Sequence, residues 1–306
     1  MASLRQIRRR IRTVEQTQKT TRAMEMVAAS KLKRLERRLA DRRPYTQGLS
    51  EVLQRHLAQV RLLPATASPR GFGLARNDAS MGAGYTHPWL IERPVRRLAL
   101  VVLASDRGLC GAYNINLFRR AEAFLKEWSQ DRVGVIPIGK RAIAYFRRRS
   151  YPILDRFEGL DDRLPGTVLQ EIAQKLTDLF ESGAVDEVHL LSTRYLKMLS
   201  YRMVQERLLP LEVEMTGAAP ELDAIYEPDA KTFLDGLVGP FLRARLGMAL
   251  LEGFASEQSH RMFAMRQATE NADEMIHHLT LLRNKIRQAV ITKEIAEIVG
   301  GAEALK

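Results

Sequence analysis

The stretch LRQIRRRIRTVEQTQKTTRAMEMVAASKLKRLERRL, residues 4 to 39, decides the fold. Leu4, Ile7, Ile11, Val14, Gln18, Thr21, Glu25, Ala28, Leu32, Leu35 and Leu39 follow one another at alternating three- and four-residue steps without a slip. That is the spacing of a heptad seam, which keeps one stripe of a helix facing a partner helix. No glycine falls in the stretch and no proline precedes Pro44, so helix propensity stays high throughout. One long helix is predicted, with a stripe it cannot bury by itself.

The partner is found at the other end of the chain. From about Lys231 to Val299 the pattern is again helical, with a seam through Leu246, Leu251, Phe254, Gln258, Met262, Met265, Thr269, Ala272, Ile276, Leu279 and Ile286. Each seam has a weak polar stretch: Gln18 to Ala28 in the first, about Ser256 to Thr269 in the second. Aligning these gaps in an antiparallel coiled coil makes paired residue numbers sum to roughly 285, within about one helical turn. Leu4 then lies near Leu281 or Leu282, Ile7 near Leu279, Ile11 near Met275, and Leu35 and Leu39 near Leu251 and Leu246. Thr21 falls near Ala264, and Glu25 comes close to Arg261.

Between the helices, apolar runs alternate with amphipathic segments. Residues 96–105 and 133–139 read as buried strands, EVHLLSTRY and SYRMVQERLLP as two more joined by a short turn, and residues 114–128, 140–149 and 167–181 as helices. Strands alternating with helices imply a Rossmann-like three-layer α/β domain with a mainly parallel sheet. The expected organisation is an N-terminal coiled-coil helix over 1–60, a loop or insertion over 61–95, an α/β globular foot over 96–212, a connector over 213–230, and a C-terminal coiled-coil helix with its tip over 231–306. Within the insertion, the Gly/Pro-rich stretch from Pro64 to Pro88 breaks every period.

The loop SDRGLCGAYN, Ser105 to Asn114, stands where a phosphate loop would follow the first strand. Gly108 and Gly111 do not form G-x-G-x-x-G and no G-K-[ST] follows, so the loop reads as a tight strand-to-helix turn with Asn114 as N-cap. Cys110, the single cysteine, reads as a packed thiol, and one cysteine makes no internal disulfide. His260, His277 and His278 are not spaced to converge on a metal, and no pair of carboxylates announces an acid/base couple. No cofactor, metal or catalytic residue is expected.

Charge points to partners instead. The net charge is +12, and residues 1 to 43 carry fourteen Lys or Arg against four acidic residues. Such an arm suits nucleic acid, an anionic membrane surface, acidic protein loops, or merely solvent. A basic coiled-coil nucleic-acid-binding protein is the alternative reading, though Tyr45 is the one aromatic in the first fifty residues, so stacking platforms are lacking. No apolar run of eighteen residues is present and the N-terminus lacks a signal-type apolar region, so a soluble, cytosol-facing protein without a transmembrane segment is expected. Near the C-terminus, Val290, Ile291, Ile295, Ile298 and Val299 lie around much of the helix, which calls for a sleeve supplied by other chains or for an end folded back on the body.

The sequence resembles the gamma subunits of rotary proton-translocating ATP synthases. The family's C-terminal pattern I-T-x-E-x-x-[DE]-x-x-x-G-A-x-A is met by Ile291, Thr292, Glu294, Glu297, Gly301, Ala302 and Ala304. TQKTTRAMEMVAASKLKR, SDRGLCGAYN, ASEQSHRMFAM and LRNKIRQAVIT extend the likeness to both ends and the centre. The resemblance implies a non-catalytic central-stalk rotor shaft that turns inside a hexamer of alpha and beta subunits, with its foot on the c-ring of the membrane sector beside the epsilon subunit. It implies a peripheral protein on the cytoplasmic face of a bacterial inner membrane, an organellar inner membrane being the lesser alternative. By similarity, Arg287, Gln288 and Thr292 match one contact region with the catalytic subunits, Met24 and Arg261 a second, and Tyr226 and Glu227 the foot segment near the ring and epsilon. Arg287 also needs a partner because it sits beside so much apolar surface. Two departures stand out: the stretch from Pro64 to Pro88 is longer than in many members, and the two-cysteine regulatory insertion of chloroplast members is missing.

Overall fold

The computed structural model describes residues 4–62, 87–198, 200–211, 227 and 229–303. Two long helices bracket an α/β fold: α1, Leu4–Leu62, of 59 residues, and α5, Ala230–Glu303, of 74 residues. Pro44 and Pro240 lie inside them, so each helix runs on past a residue that offers no N–H to the preceding turn. Between them come β1 (Leu98–Leu103), α2 (Tyr113–Leu125), β2 (Val133–Ile138), α3 (Lys140–Arg148), α4 (Gly166–Glu181), β3 (Glu187–Lys197) and β4 (Ser200–Leu209). The chain forms two compact units, one of residues 1–30 with 258–306 and one of residues 31–257.

In the first unit, α1 and the distal half of α5 pair in antiparallel fashion. Thr21 Oγ1 and Thr269 Oγ1 share a 2.8 Å hydrogen bond, and Gln18 Nε2 donates to Asp273 Oδ1. Ile7, Ile11 and Ala28 are buried, and Leu4, Val14, Gln18, Thr21 and Glu25 half-buried, so the whole seam in this unit is turned away from solvent. The register differs from the expected one. Thr21 meets Thr269 rather than Ala264, a shift of about five residues or ~7.5 Å of helix rise. Continued at the same spacing, it puts Ile11 level with Leu279 rather than Met275, Ile7 level with Arg283, Leu4 level with Ile286, and Glu25 level with Met265 rather than Arg261. Exposure agrees: Met275, Leu281 and Leu282 face solvent, whereas Leu279, Arg283 and Ile286 are partly covered. The weak stretches of two seams are long enough to slide past one another, and side-chain hydrogen bonds between Gln18, Thr21, Thr269 and Asp273 settle the position that the apolar pattern leaves loose.

The second unit holds the sheet. Its order is β2-β1-β3-β4, with β1 parallel to both β2 and β3 and β4 antiparallel to β3. All six residues of β1 and all six of β2 are buried, as expected of strands covered on both faces by crossover helices. α2 and α3 contribute Leu117, Phe118, Ala121, Leu125, Ala142 and Phe146 to the core beneath them. β4 is only partly buried until Leu208 and Leu209, the pattern of an edge strand.

Polar contacts fasten the α/β fold to the long-helix segments of its own unit. The Tyr195 hydroxyl of β3 donates to Glu36 Oε1 at 2.6 Å, Arg38 donates to the Asp162 carbonyl, and Arg34 Nε lies 3.5 Å from Asp162 Oδ2. On the other long helix, Tyr113 donates to the Gly253 carbonyl at 3.3 Å and Arg245 donates to Glu206 Oε2 at 2.9 Å. Leu32, Leu35 and Leu39 of α1 and Leu246 and Leu251 of α5 are buried, completing both seams within this unit.

Candidate functional site: interaction surfaces of the paired helices

The Ser105–Asn114 loop is built as a structural joint. Asn114 does not cap α2; the helix begins at Tyr113 behind Ala112, which makes no side-chain capping bond. The Asn114 amide instead reaches back, accepting from the Ser105 N–H at 3.1 Å and donating to Ser105 Oγ at 2.7 Å and to Cys110 Sγ at 3.1 Å. Cys110 is buried, as a packed thiol should be. The same loop caps the next helix: Asp106 Oδ1 accepts from the Lys140 N–H at 2.8 Å and the Ser105 carbonyl from the Arg141 N–H at 3.2 Å. Those donors at the start of α3 are therefore occupied by the protein itself rather than turned toward a phosphate. Gly139 passes so close to β1 that a Cβ there would stand 2.3 Å from the Ala104 carbonyl oxygen. A shallow cleft of about 420 Å³ lies beside the loop, its lining including Leu109, Ile115, Phe118, Arg141, Tyr145 and Arg149. Among the described residues no group of three or more His, Cys, Asp or Glu is placed to hold a metal.

The surfaces that remain open lie on the helices. Beyond Ile286, α5 is solvent-exposed at every position through Gly300. Arg287, Gln288 and Thr292 all fall in this stretch, and Gln288 and Thr292, four residues apart, share a face. Val290, Ile291, Ile295, Ile298 and Val299 are exposed, Ile298 by 71%. At 100° per residue they cover roughly half of the circumference, with Arg287 and Glu294 set inside the apolar arc. Expected around much of the helix, the apolar residues leave the remaining half to polar ones, where Lys293 and Glu297 are ion-paired at 3.4 Å.

The second expected region is also in the first unit. Met24 is exposed and shares a face of α1 with exposed Val27, three residues on, while exposed Met26 points to another side. Arg261 is half-buried on α5, and the observed register does not set it opposite Glu25. Of the foot pair, Glu227 is exposed just ahead of α5, while Tyr226 lies outside the described residues, as does the stretch 63–86 that holds most of the Gly/Pro-rich insertion. Within the first unit, the group of Arg287, Gln288 and Thr292 and the pair of Met24 and Arg261 lie on different stretches of helix. Met26 and Val27 lie in the same family-like stretch as Met24, but the resemblance does not single them out as contact residues.

No helix among the described residues is long and apolar enough to cross a membrane. The family model for ATP synthase matches residues 3–305. An ATP synthase gamma chain of Desulfitobacterium hafniense is 41% identical over the full length of both chains, and one of Sorangium cellulosum is 40% identical, again over the full length of both. Among solved structures, the Tetrahymena thermophila mitochondrial ATP synthase central stalk and c-ring contains a similar chain, with a TM-score of 0.59 at 22% identity, covering 81% of this chain and 99% of the other. The Euglena gracilis mitochondrial ATP synthase contains another, with a TM-score of 0.54 at 19% identity, covering 90% and 95%. Coiled coil, α/β fold and full-length likeness agree, and the chain belongs to the ATP synthase gamma chain family.

Proposed function

We propose that the chain works as a shaft whose bare apolar tip and basic flank are gripped by a ring of catalytic subunits and which carries no active site of its own. As a gamma chain it is the central-stalk rotor of ATP synthase and a peripheral part of that membrane-bound complex. The observation that carries the mechanical reading is the distal part of α5, where five large apolar side chains stand exposed and, among the described residues, no segment is folded back over them. Exposed Ile and Val in that density favour burial by about 25 cal/mol per Å² covered. A sleeve of surrounding subunits supplies that burial while leaving the helix free to turn.

On this reading, Arg287, Gln288 and Thr292 meet the alpha and beta subunits at the tip, Met24 and Arg261 meet them lower on the shaft, and Tyr226 with Glu227 lies against the c-ring and epsilon. A shaft of unlike faces presents different contacts to each catalytic subunit at every angle. Nucleotide affinity then differs from site to site, and rotation moves the difference around the ring. The bacterial origin of the relatives just described favours the cytoplasmic face of a bacterial inner membrane. The nucleic-acid-binding alternative is set aside, because the family model and the full-length relatives are those of ATP synthase gamma chains. The test is reconstitution: the purified chain alone should hydrolyse no ATP, and it should co-elute with a hexamer of alpha and beta subunits and raise its activity. Turnover by the stringently purified chain, or failure to co-elute, overturns the proposal.

A further inference from the structure

Glu252 is a charged residue in the interior of the second unit, on a turn of α5 where Leu250, Leu251, Gly253 and Ala255 are also buried. It has charges on three sides. Arg194 Nε of β3 lies 3.9 Å from its carboxylate, Arg43 of α1 attracts it, and Glu206 of β4 repels it. Glu206 is itself held by Arg245, two turns earlier on the same face of α5. The Arg194 side chain is 53% exposed and the Glu252 side chain 11%, so the cation is free to turn to solvent while the acid is not. A buried carboxylate is costly unless it is paired, and a pair at 3.9 Å is near the outer limit of useful contact.

We propose that Glu252 is a proton switch in the seam joining the α/β fold to the helix segments of its own unit: neutral and indifferent to its neighbours when protonated, dependent on Arg194 and Arg43 when ionised. Proton release then converts a plain packed seam into one tethered by charge from β3 and α1 to α5. Burial pushes the Glu252 carboxyl up to about 7; Arg194 and then Arg43 pull it back, and Glu206 adds to the rise. The exchange thus falls inside the range a cell experiences. The sign follows from linkage: the folded state holds this proton more tightly than the unfolded chain, whose carboxyl has the ordinary value of 4.5. Stability is greatest below that ordinary value, falls as pH rises toward about 7, and is level above it.

The experiment is a series of thermal unfolding midpoints of the full chain across pH for wild type, Glu252→Gln and Arg194→Gln. Gln keeps the size of the side chain and carries no proton to lose. Relative to wild type, the Glu252→Gln midpoint should rise by about 3–8 °C between pH 5 and pH 7 and then stay level. Arg194→Gln should move the levelling-off to higher pH, because one of the cations that favour the carboxylate is gone. Parallel curves for wild type and Glu252→Gln overturn the proposal, since a merely structural glutamate would shift the midpoint equally at every pH. An unmoved curve in Arg194→Gln removes Arg194 from the switch and overturns the stated geometry.

Discussion

Gly139 and Gly183 both hold left-handed backbone, with φ of 101° and 72°, yet they face different neighbours. Around Gly183 nothing lies within 4 Å of an added Cβ, whereas at Gly139 the Ala104 carbonyl blocks it. Gly183→Ala should therefore cost only the backbone penalty of about 1 kcal/mol, and Gly139→Ala about 3 kcal/mol or more, because β1 must move or α3 must lose its start. Urea unfolding followed by circular dichroism measures both, and equal losses would refute the close approach. The Ser105–Asn114 joint shows what a sequence hides at this scale. Gly108, Gly111 and Asn114 mark a turn legibly, and Cys110 reads correctly as packed. That Asn114 folds back onto Ser105 instead of capping α2 depends on contacts nine residues apart, which no local capping rule supplies.

The long helices are the most legible elements, because burial of a stripe leaves a period that survives in the sequence. Every residue of the α1 seam from Leu4 to Leu39 is buried or half-buried, including Gln18, Thr21 and Glu25, whose side chains alone would not announce a core. The four strands and the mainly parallel sheet were likewise readable, since the β1 and β2 runs are apolar throughout and alternate with helices. Register was not. Sliding one helix about five residues past the other keeps most apolar residues near apolar residues, so hydrophobic pattern discriminates weakly and the Thr21–Thr269 and Gln18–Asp273 bonds decide. With Cys110→Ala as background, Thr21→Cys paired with Thr269→Cys should oxidise readily. Thr21→Cys paired with Ala264→Cys should not, because five residues carry the partner beyond the ~7 Å Cα separation a disulfide spans and turn it ~140° away. Preferential trapping of the second pair on a non-reducing gel would restore the alignment first expected.

For the molecule as a whole, the tip of α5 sets the terms. Ile295 and Ile298 are exposed by 56% and 71%, so replacing both with Asp should leave the unfolding midpoint of the isolated chain nearly unchanged. In the assembled complex the same pair of carboxylates would be buried without partners, and affinity for the hexamer should fall at least about tenfold, or ~1.4 kcal/mol, as read by co-elution on gel filtration. Undiminished assembly would mean that the tip is not enclosed. The apolar residues of the tip were legible in the sequence, because Ile and Val on several sides of a helix are conspicuous; that a sleeve covers them is the proposal this measurement tests. The division of Arg287, Met24 and Glu227 among partners rests on the resemblance alone, since the chemistry that selects them belongs to other chains.

Rotation itself is the most direct measurement. With the hexamer fixed to a surface and a bead attached through Met198→Cys, an exposed site at the β3–β4 turn, in a Cys110→Ala background, added ATP should drive the bead in continued turns of one sense. Sustained ATP hydrolysis by the same complexes with the bead at rest would contradict a rotor.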